Sequence, residues 1–195
     1  MKRILIVASL VLAFVTVKAQ SEVGGVSIRP MVGMNIGMMT NTDGSSARIG
    51  LAIGTELEYQ LTDMVALSGG LLYSQQGCKS DSENAKVKLD YINIPLLANV
   101  YVAKGLAFKV GLQPGFLIND KATASEGNAS VEVGMGDASK NFALSVPIGL
   151  SYEFSNIQID ARFNWGVTHA LSFADDLTSN SNTVMLTVGY KFRLK

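Results

Sequence analysis

The chain has 195 residues, with 16 Lys plus Arg, 16 Asp plus Glu, one His and one Cys. At 48% hydrophobic and 16% charged it is too apolar and too weakly charged for a disordered chain, and its length suits one domain. A single thiol excludes an internal disulfide framework, and without a basic excess no nucleic-acid partner is expected.

Lys2 and Arg3 open the chain, followed by an apolar run from Ile4 to Val17 broken by Ser9 and Thr16. This run is shorter than the ~20 residues of a spanning helix. Val17-Lys18-Ala19 resembles a signal-peptidase site, so residues 1–19 are expected to be a signal peptide cut before Gln20. The domain is then 20–195, with 13 bases against 16 acids. No helix-length apolar stretch follows, so a membrane-spanning mature chain must be a closed barrel.

The rest alternates with period two, the mark of a strand. Ile28, Pro30, Val32, Met34, Ile36 and Met38 oppose Ser27, Arg29, Met31, Gly33, Asn35 and Gly37. The longest run sets Ile49, Leu51, Ile53, Thr55, Leu57, Tyr59 and Leu61 against Arg48, Gly50, Ala52, Gly54, Glu56, Glu58 and Gln60. The pattern recurs from Val65 to Ser74, Tyr91 to Val102, Phe108 to Ile118, Phe142 to Phe154, Ile157 to Trp165 and Val184 to Phe192, giving about eight strands. Short connections (Thr62-Asp63, Ala103-Lys104-Gly105, Ser155-Asn156) alternate with long ones (Thr40–Ala47, Gly77–Lys86, Asn119–Lys140, His169–Asn182). That is the loop pattern of an outer-membrane barrel. The expected fold is all-β, an eight-stranded antiparallel up-and-down transmembrane β-barrel in the cell outer membrane, with lipid around it.

A soluble, ligand-carrying periplasmic barrel would alternate too, with its apolar face inward. The polar face is decisive: it holds Gly33, Gly37, Gly50, Gly54, Gly70, Gly111, Gly115, Gly149 and Gly189, small residues suited to a narrow interior. On the apolar face, Tyr59, Phe108, Tyr152, Phe154, Tyr190 and Phe192 gather at one level, and Tyr73, Phe116, Phe142 and Trp165 at the other, as two girdles. All four prolines, Pro30, Pro95, Pro114 and Pro147, fall inside strands, where bulges or kinks are expected to absorb them.

Several segments resemble the PorT-like outer-membrane β-barrel proteins of the Bacteroidetes. They are Gly70-Leu71-Leu72-Tyr73-Ser74-Gln75-Gln76-Gly77, Tyr91-Ile92-Asn93-Ile94-Pro95-Leu96-Leu97, Gly111-Leu112-Gln113-Pro114-Gly115-Phe116-Leu117, Arg162-Phe163 with Gly166-Val167-Thr168, and Gly189-Tyr190-Lys191-Phe192. The chain departs from that pattern at Asn93, where an acidic residue is common, and in the Arg193-Leu194-Lys195 tail beyond the last aromatic. The resemblance implies an outer-membrane barrel and suggests a link to transport or secretion.

By parity, Arg29, Lys109, Arg162 and Lys191 point into the lumen with Glu56, Glu58, Glu153 and Asp160, while Arg48, Lys88 and Asp90 lie there or at its rim. Charges inside a barrel must pair, so these are expected to form a structural ion network that fills it. His169 lies near Ser172, Asp175 and Asp176, but nothing orients them as a triad, and no catalytic residue is assigned. No metal is expected: Asp175-Asp176 and Asp120 with Glu126 match no cation-loop motif. No cofactor is expected either, because Gly134-Met135-Gly136 lacks the setting of a phosphate loop. Cys78 reads as an incidental thiol. The expected role is a non-enzymatic scaffold. A protein or glycan partner would meet Asn119–Lys140 and His169–Asn182, with Val131-Glu132-Val133 extending a hairpin.

Overall fold

The computed structural model describes residues 22–39, 45–80, 85–126, 129–133, 141–174 and 177–194. The expected leader, residues 1–19, lies outside them. Twelve strands follow in chain order: β1 (Val26–Met39), β2 (Ser45–Gln60), β3 (Val65–Ser80), β4 (Ala85–Asn93), β5 (Leu96–Ala103), β6 (Leu106–Glu126), β7 (Ala129–Val133), β8 (Phe142–Phe154), β9 (Ile157–Gly166), β10 (His169–Ala174), β11 (Leu177–Tyr190) and β12 (Phe192–Leu194).

These strands make a closed barrel of eight antiparallel staves. β4 and β5 share one stave, as do β7 with β8, β9 with β10 and β11 with β12. Each stave pairs with the next, and β1 closes the ring against β11 and β12, with Gly33 opposite Thr187 and Ile28 opposite Phe192. Closure leaves no stave at the end of an open sheet, as a lipid environment demands, while β7 and β10 each pair with a single strand, β6 and β11.

The wall follows the two-residue parity of the sequence. Ile53, Leu57, Leu71, Val110, Ile148, Ile159 and Val188 are exposed, whereas Glu56, Asn99, Gln113, Asp160 and Arg162 are buried. The core is therefore polar and the surface apolar. At the short-turn end, Tyr190 and Phe192 lie 4.7 Å apart between ring centroids, and at the opposite end Phe116 meets Phe142 edge-on at 5.6 Å. Tyr73 and Tyr152 are half-buried in the same two belts.

The prolines sit at interruptions of the ladder rather than at bulges. Pro95 falls in the break between β4 and β5, and Pro114 faces that break, its carbonyl accepting the Ile94 N–H at 2.8 Å. The β1 ladder to β11 and β12 skips Arg29 and Pro30. The β6–β8 ladder skips Gly111 and Leu112, across from Pro147. A proline has no N–H to give, so each gap falls where a ladder bond has no donor.

The long connections are largely strand. β6 runs for 21 residues, ~70 Å at ~3.3 Å per residue, far more than an apolar belt of ~25 Å requires. Its upper end pairs with β7, Ala122 opposite Val133 and Glu126 opposite Ala129. Most of His169–Asn182 is likewise a hairpin of β10 on β11. Local polarity of the residues suggests a loop, but hairpin pairing decides the backbone.

Candidate functional site

The lumen is filled from the short-turn end upward. Lys191, next to the β11–β12 junction, places its Nζ 2.6 Å from Glu58 and 2.9 Å from Glu153. The Tyr101 hydroxyl donates to Glu58 at 2.8 Å and accepts from Lys191 at 3.2 Å. Asn99 donates to the second Glu58 oxygen at 2.9 Å and to Ser68 at 3.1 Å. Arg193, on β12, closes on Glu153 and donates to Asn156 at 2.8 Å. The Arg193-Leu194 stretch beyond Phe192 thus joins the barrel: its backbone pairs with Val26 and Ser27 of β1.

One level higher, two carboxylates bind three cations. Arg162 reaches both, lying 2.6 Å from Glu56 and forming a two-pronged contact with Asp160 at 2.6 and 2.8 Å. Lys109 sits 2.6 Å from Asp160 and 3.8 Å from Glu56. Arg29 pairs with Glu56 and approaches Asp160 at 3.5 Å. Arg162 and Asp160 are 1% and 0% exposed. Charge-assisted, forked contacts of this kind are the strong ones.

An apolar layer of Met31, Ala52, Leu72 and Met185 follows. Along β1, β3 and β11 these residues lie between the charged level and the uncharged polar residues Asn35, Ser74 and Thr183. There Asn35 donates to Ser74 at 2.6 Å and Asn164 to Thr183 at 3.0 Å. All eight charged residues assigned to the lumen from parity lie in the two lower clusters. Arg48, Lys88 and Asp90 do not join them. Arg48 donates to the Gln76 carbonyl, and Asp90 accepts from Asn119 at 2.9 Å.

An apolar belt, two aromatic rings and a polar interior define a barrel made for lipid. The sequence matches the family described as outer membrane protein beta-barrel domain over residues 18–172. The chain belongs to that family.

Its place is the cell outer membrane. Among solved structures, the barrel is similar to Ail, the attachment invasion locus protein of Yersinia pestis, solved with the heparin analogue sucrose octasulfate. The two share 18% identity and a TM-score of 0.52, over 86% of this chain and 99% of that one. Neisserial surface protein A gives 13% identity and a TM-score of 0.50 over 87% and 97%. At these identities the likeness is one of fold. No curated protein is a recognisable relative by sequence. A barrel of this family is expected to migrate faster unboiled than boiled on a denaturing gel of the outer-membrane fraction. Equal mobility, together with recovery of the protein in a detergent-free extract, would contradict the lipid-facing reading.

Three contributors to the lumen were not singled out from the sequence. Tyr101 was legible on the inward face, but its bond to Glu58 depends on two staves meeting across the lumen. Arg193 falls outside the alternating run, and it reaches Glu153 only because β12 continues the β11 stave, two staves from β8. The apolar layer left a usable signal, because Met31, Leu72 and Met185 are large apolar residues at inward positions. Among the described residues no three His, Cys, Asp or Glu side chains come together as a metal site. His169 lies on β10 with its backbone opposite Asn180, and Asp175 and Asp176 lie outside the described residues.

Proposed function

We propose that this outer-membrane barrel is a non-enzymatic, non-conducting scaffold that holds external hairpins above the membrane for binding. The observation that carries this reading is the filled lumen. Two ion-paired clusters and an apolar layer stack where a conduit would need continuous water. Narrow eight-stranded barrels are just wide enough for side chains to fill them. In this reading Arg29, Glu56, Glu58, Lys109, Glu153, Asp160, Arg162 and Lys191 are structural. Their pairing offsets the penalty of burying charge.

The hairpins supply the binding surface. β6 with β7 and β10 with β11 extend beyond the belt from a rigid base, the usual setting for recognition. Across residues 40–47, 77–86, 119–140 and 169–182 the sequence carries nine acidic residues against four lysines. That balance disfavours a polyanion such as the sulfated ligand of the Yersinia protein. It suits a cationic protein surface or a neutral glycan. The reading of residues 1–19 as a cleaved leader belongs to the same proposal, supported by a family match that begins at residue 18. So does a place among the PorT-like barrels of the Bacteroidetes, which rests on the ordered segments from Gly70 to Phe192.

Purified protein reconstituted in a planar bilayer is expected to give no stepwise conductance. Discrete steps lost on replacing Arg162 would establish a path through the lumen and favour the transport or secretion-associated alternative.

A further inference from the structure

The upper lumen holds a space of about 20 Å³ whose lining includes Tyr91, Asn93, Gln113 and Asn164. A water molecule needs about 10–15 Å³ and two to four polar partners. All four side chains are at least 95% removed from solvent. Each carries one buried polar atom with no hydrogen-bond partner: the Tyr91 hydroxyl, Asn93 Nδ2, Gln113 Oε1 and Asn164 Oδ1. Buried polar atoms are nearly always satisfied, so four orphans around one small space call for a shared partner.

The four atoms divide by chemistry. The amide oxygens of Gln113 and Asn164 can only accept. Asn93 Nδ2 can only donate, and the Tyr91 hydroxyl has a proton to give. We infer that this space is a binding site for one structural water, which donates to Gln113 and Asn164 and accepts from Asn93 and Tyr91. Two donors and two lone pairs are the full capacity of a water molecule. A metal cation would face the Asn93 amino group and the Tyr91 proton, and an anion would face two carbonyl oxygens. Only a neutral, two-way partner satisfies the set.

Neighbouring groups hold the set in place. Asn164 Nδ2 donates to Thr183 at 3.0 Å, which turns its oxygen the other way. A Cβ on Gly115 would lie 2.4 Å from Asn93 Oδ1, so the glycine leaves the room that Asn93 occupies. Tyr91 packs with Leu89, Leu117 and Ala143. The site lies in the layer above Met31, Ala52, Leu72 and Met185, which separate it from the charged clusters.

The test is the sign of one substitution, with a direct readout beside it. Gln113→Met keeps the side-chain length and removes the acceptor. With a water bound, the other three groups lose part of their bridge, and the urea midpoint of the detergent-solubilised barrel is expected to fall by roughly 0.5 M. In a dry cavity the same change removes an unsatisfied acceptor, so the midpoint would hold or rise, which would overturn the site. In the unaltered protein, the Asn93 side-chain amide is expected to show a cross-relaxation peak to long-lived water. Absence of that peak, or a midpoint that shifts when sodium is replaced by choline at equal ionic strength, would likewise overturn it.

Discussion

Replacing Glu56 with glutamine is expected to lower barrel stability by about 3–5 kcal/mol, the usual consequence of removing one partner from a buried ion cluster. Glu56 is where the middle cluster converges: Arg162 lies 2.6 Å away, Arg29 pairs with it, and Lys109 lies 3.8 Å away. With Gln at this position three buried cations would share Asp160 alone. The amide oxygen could still accept a bond, but the charge that balanced the guanidinium groups would be gone. A urea titration followed by gel mobility measures the effect. Glu56→Gln with Lys109→Met is expected to recover part of the loss, since it restores two cations to one carboxylate, the original excess of one. Glu58→Gln acts on the lower cluster, on Lys191 and Tyr101. An unchanged midpoint for Glu56→Gln would sink the structural role assigned to the network.

Gly33→Ala is expected to damage the seam that closes the ring. Gly33 lies on β1 opposite Thr187 of β11. A Cβ there would come within 1.9 Å of the Leu186 carbonyl oxygen and 2.6 Å of the Thr187 Cα. Both are backbone atoms, so neither can rotate away, and the strands would have to part. Overpacking of a fitted site typically costs about 1–3 kcal/mol, occasionally more, and this contact lies at the severe end because it falls on the closing pair. The expected readout is a loss of the fast-migrating unboiled band, with protein accumulating in the unfolded form. Gly69→Ala is the control. Its Cβ would have the Leu96 side chain as nearest neighbour at 3.4 Å, and normal folding is expected. Equal behaviour of the two variants would mean that close approach at the seam does not limit assembly.

The two substitutions test different layers of one design, and they differ in how far the sequence announces them. Parity alone put Glu56 and Gly33 on the inward face. The clash at Gly33 depends on how closely β1 approaches β11, whose Thr187 lies 154 residues further along the chain, and no local pattern encodes that distance. The cluster at Glu56 gathers residues from β1, β2, β6 and β9. Their inward direction was legible, but their pairing was not. A sheared barrel brings together residues at different heights in their strands, so facing partners cannot be counted off along the chain. Arg193 shows the same limit, because its contact with Glu153 exists only once β12 stands beside β9 and β8.

The strand ends were the least legible part. Asn, Ser, Asp and Gly between Asn119 and Lys140 signal a loop, yet β6 continues to Glu126 and pairs with β7. From Asn119 to Val133 the sequence lacks the apolar–polar alternation of the rest of the wall, while the backbone pairing persists. The prolines show the converse. Pro30, Pro95, Pro114 and Pro147 argue against strands by local rules, but the closed wall tolerates them at gaps in its ladders.

The sequence by itself determined that the chain from Val26 onward alternates, which face meets lipid, how many staves there are, and that the charges lie inside. Those properties follow from a two-residue repeat and from the impossibility of leaving strand edges bare in lipid. The tertiary structure alone decided which charges meet, where an apolar layer divides the lumen, and that Tyr91, Asn93, Gln113 and Asn164 line one small space above it. Each depends on the stagger between staves, which is set by closure of the whole ring.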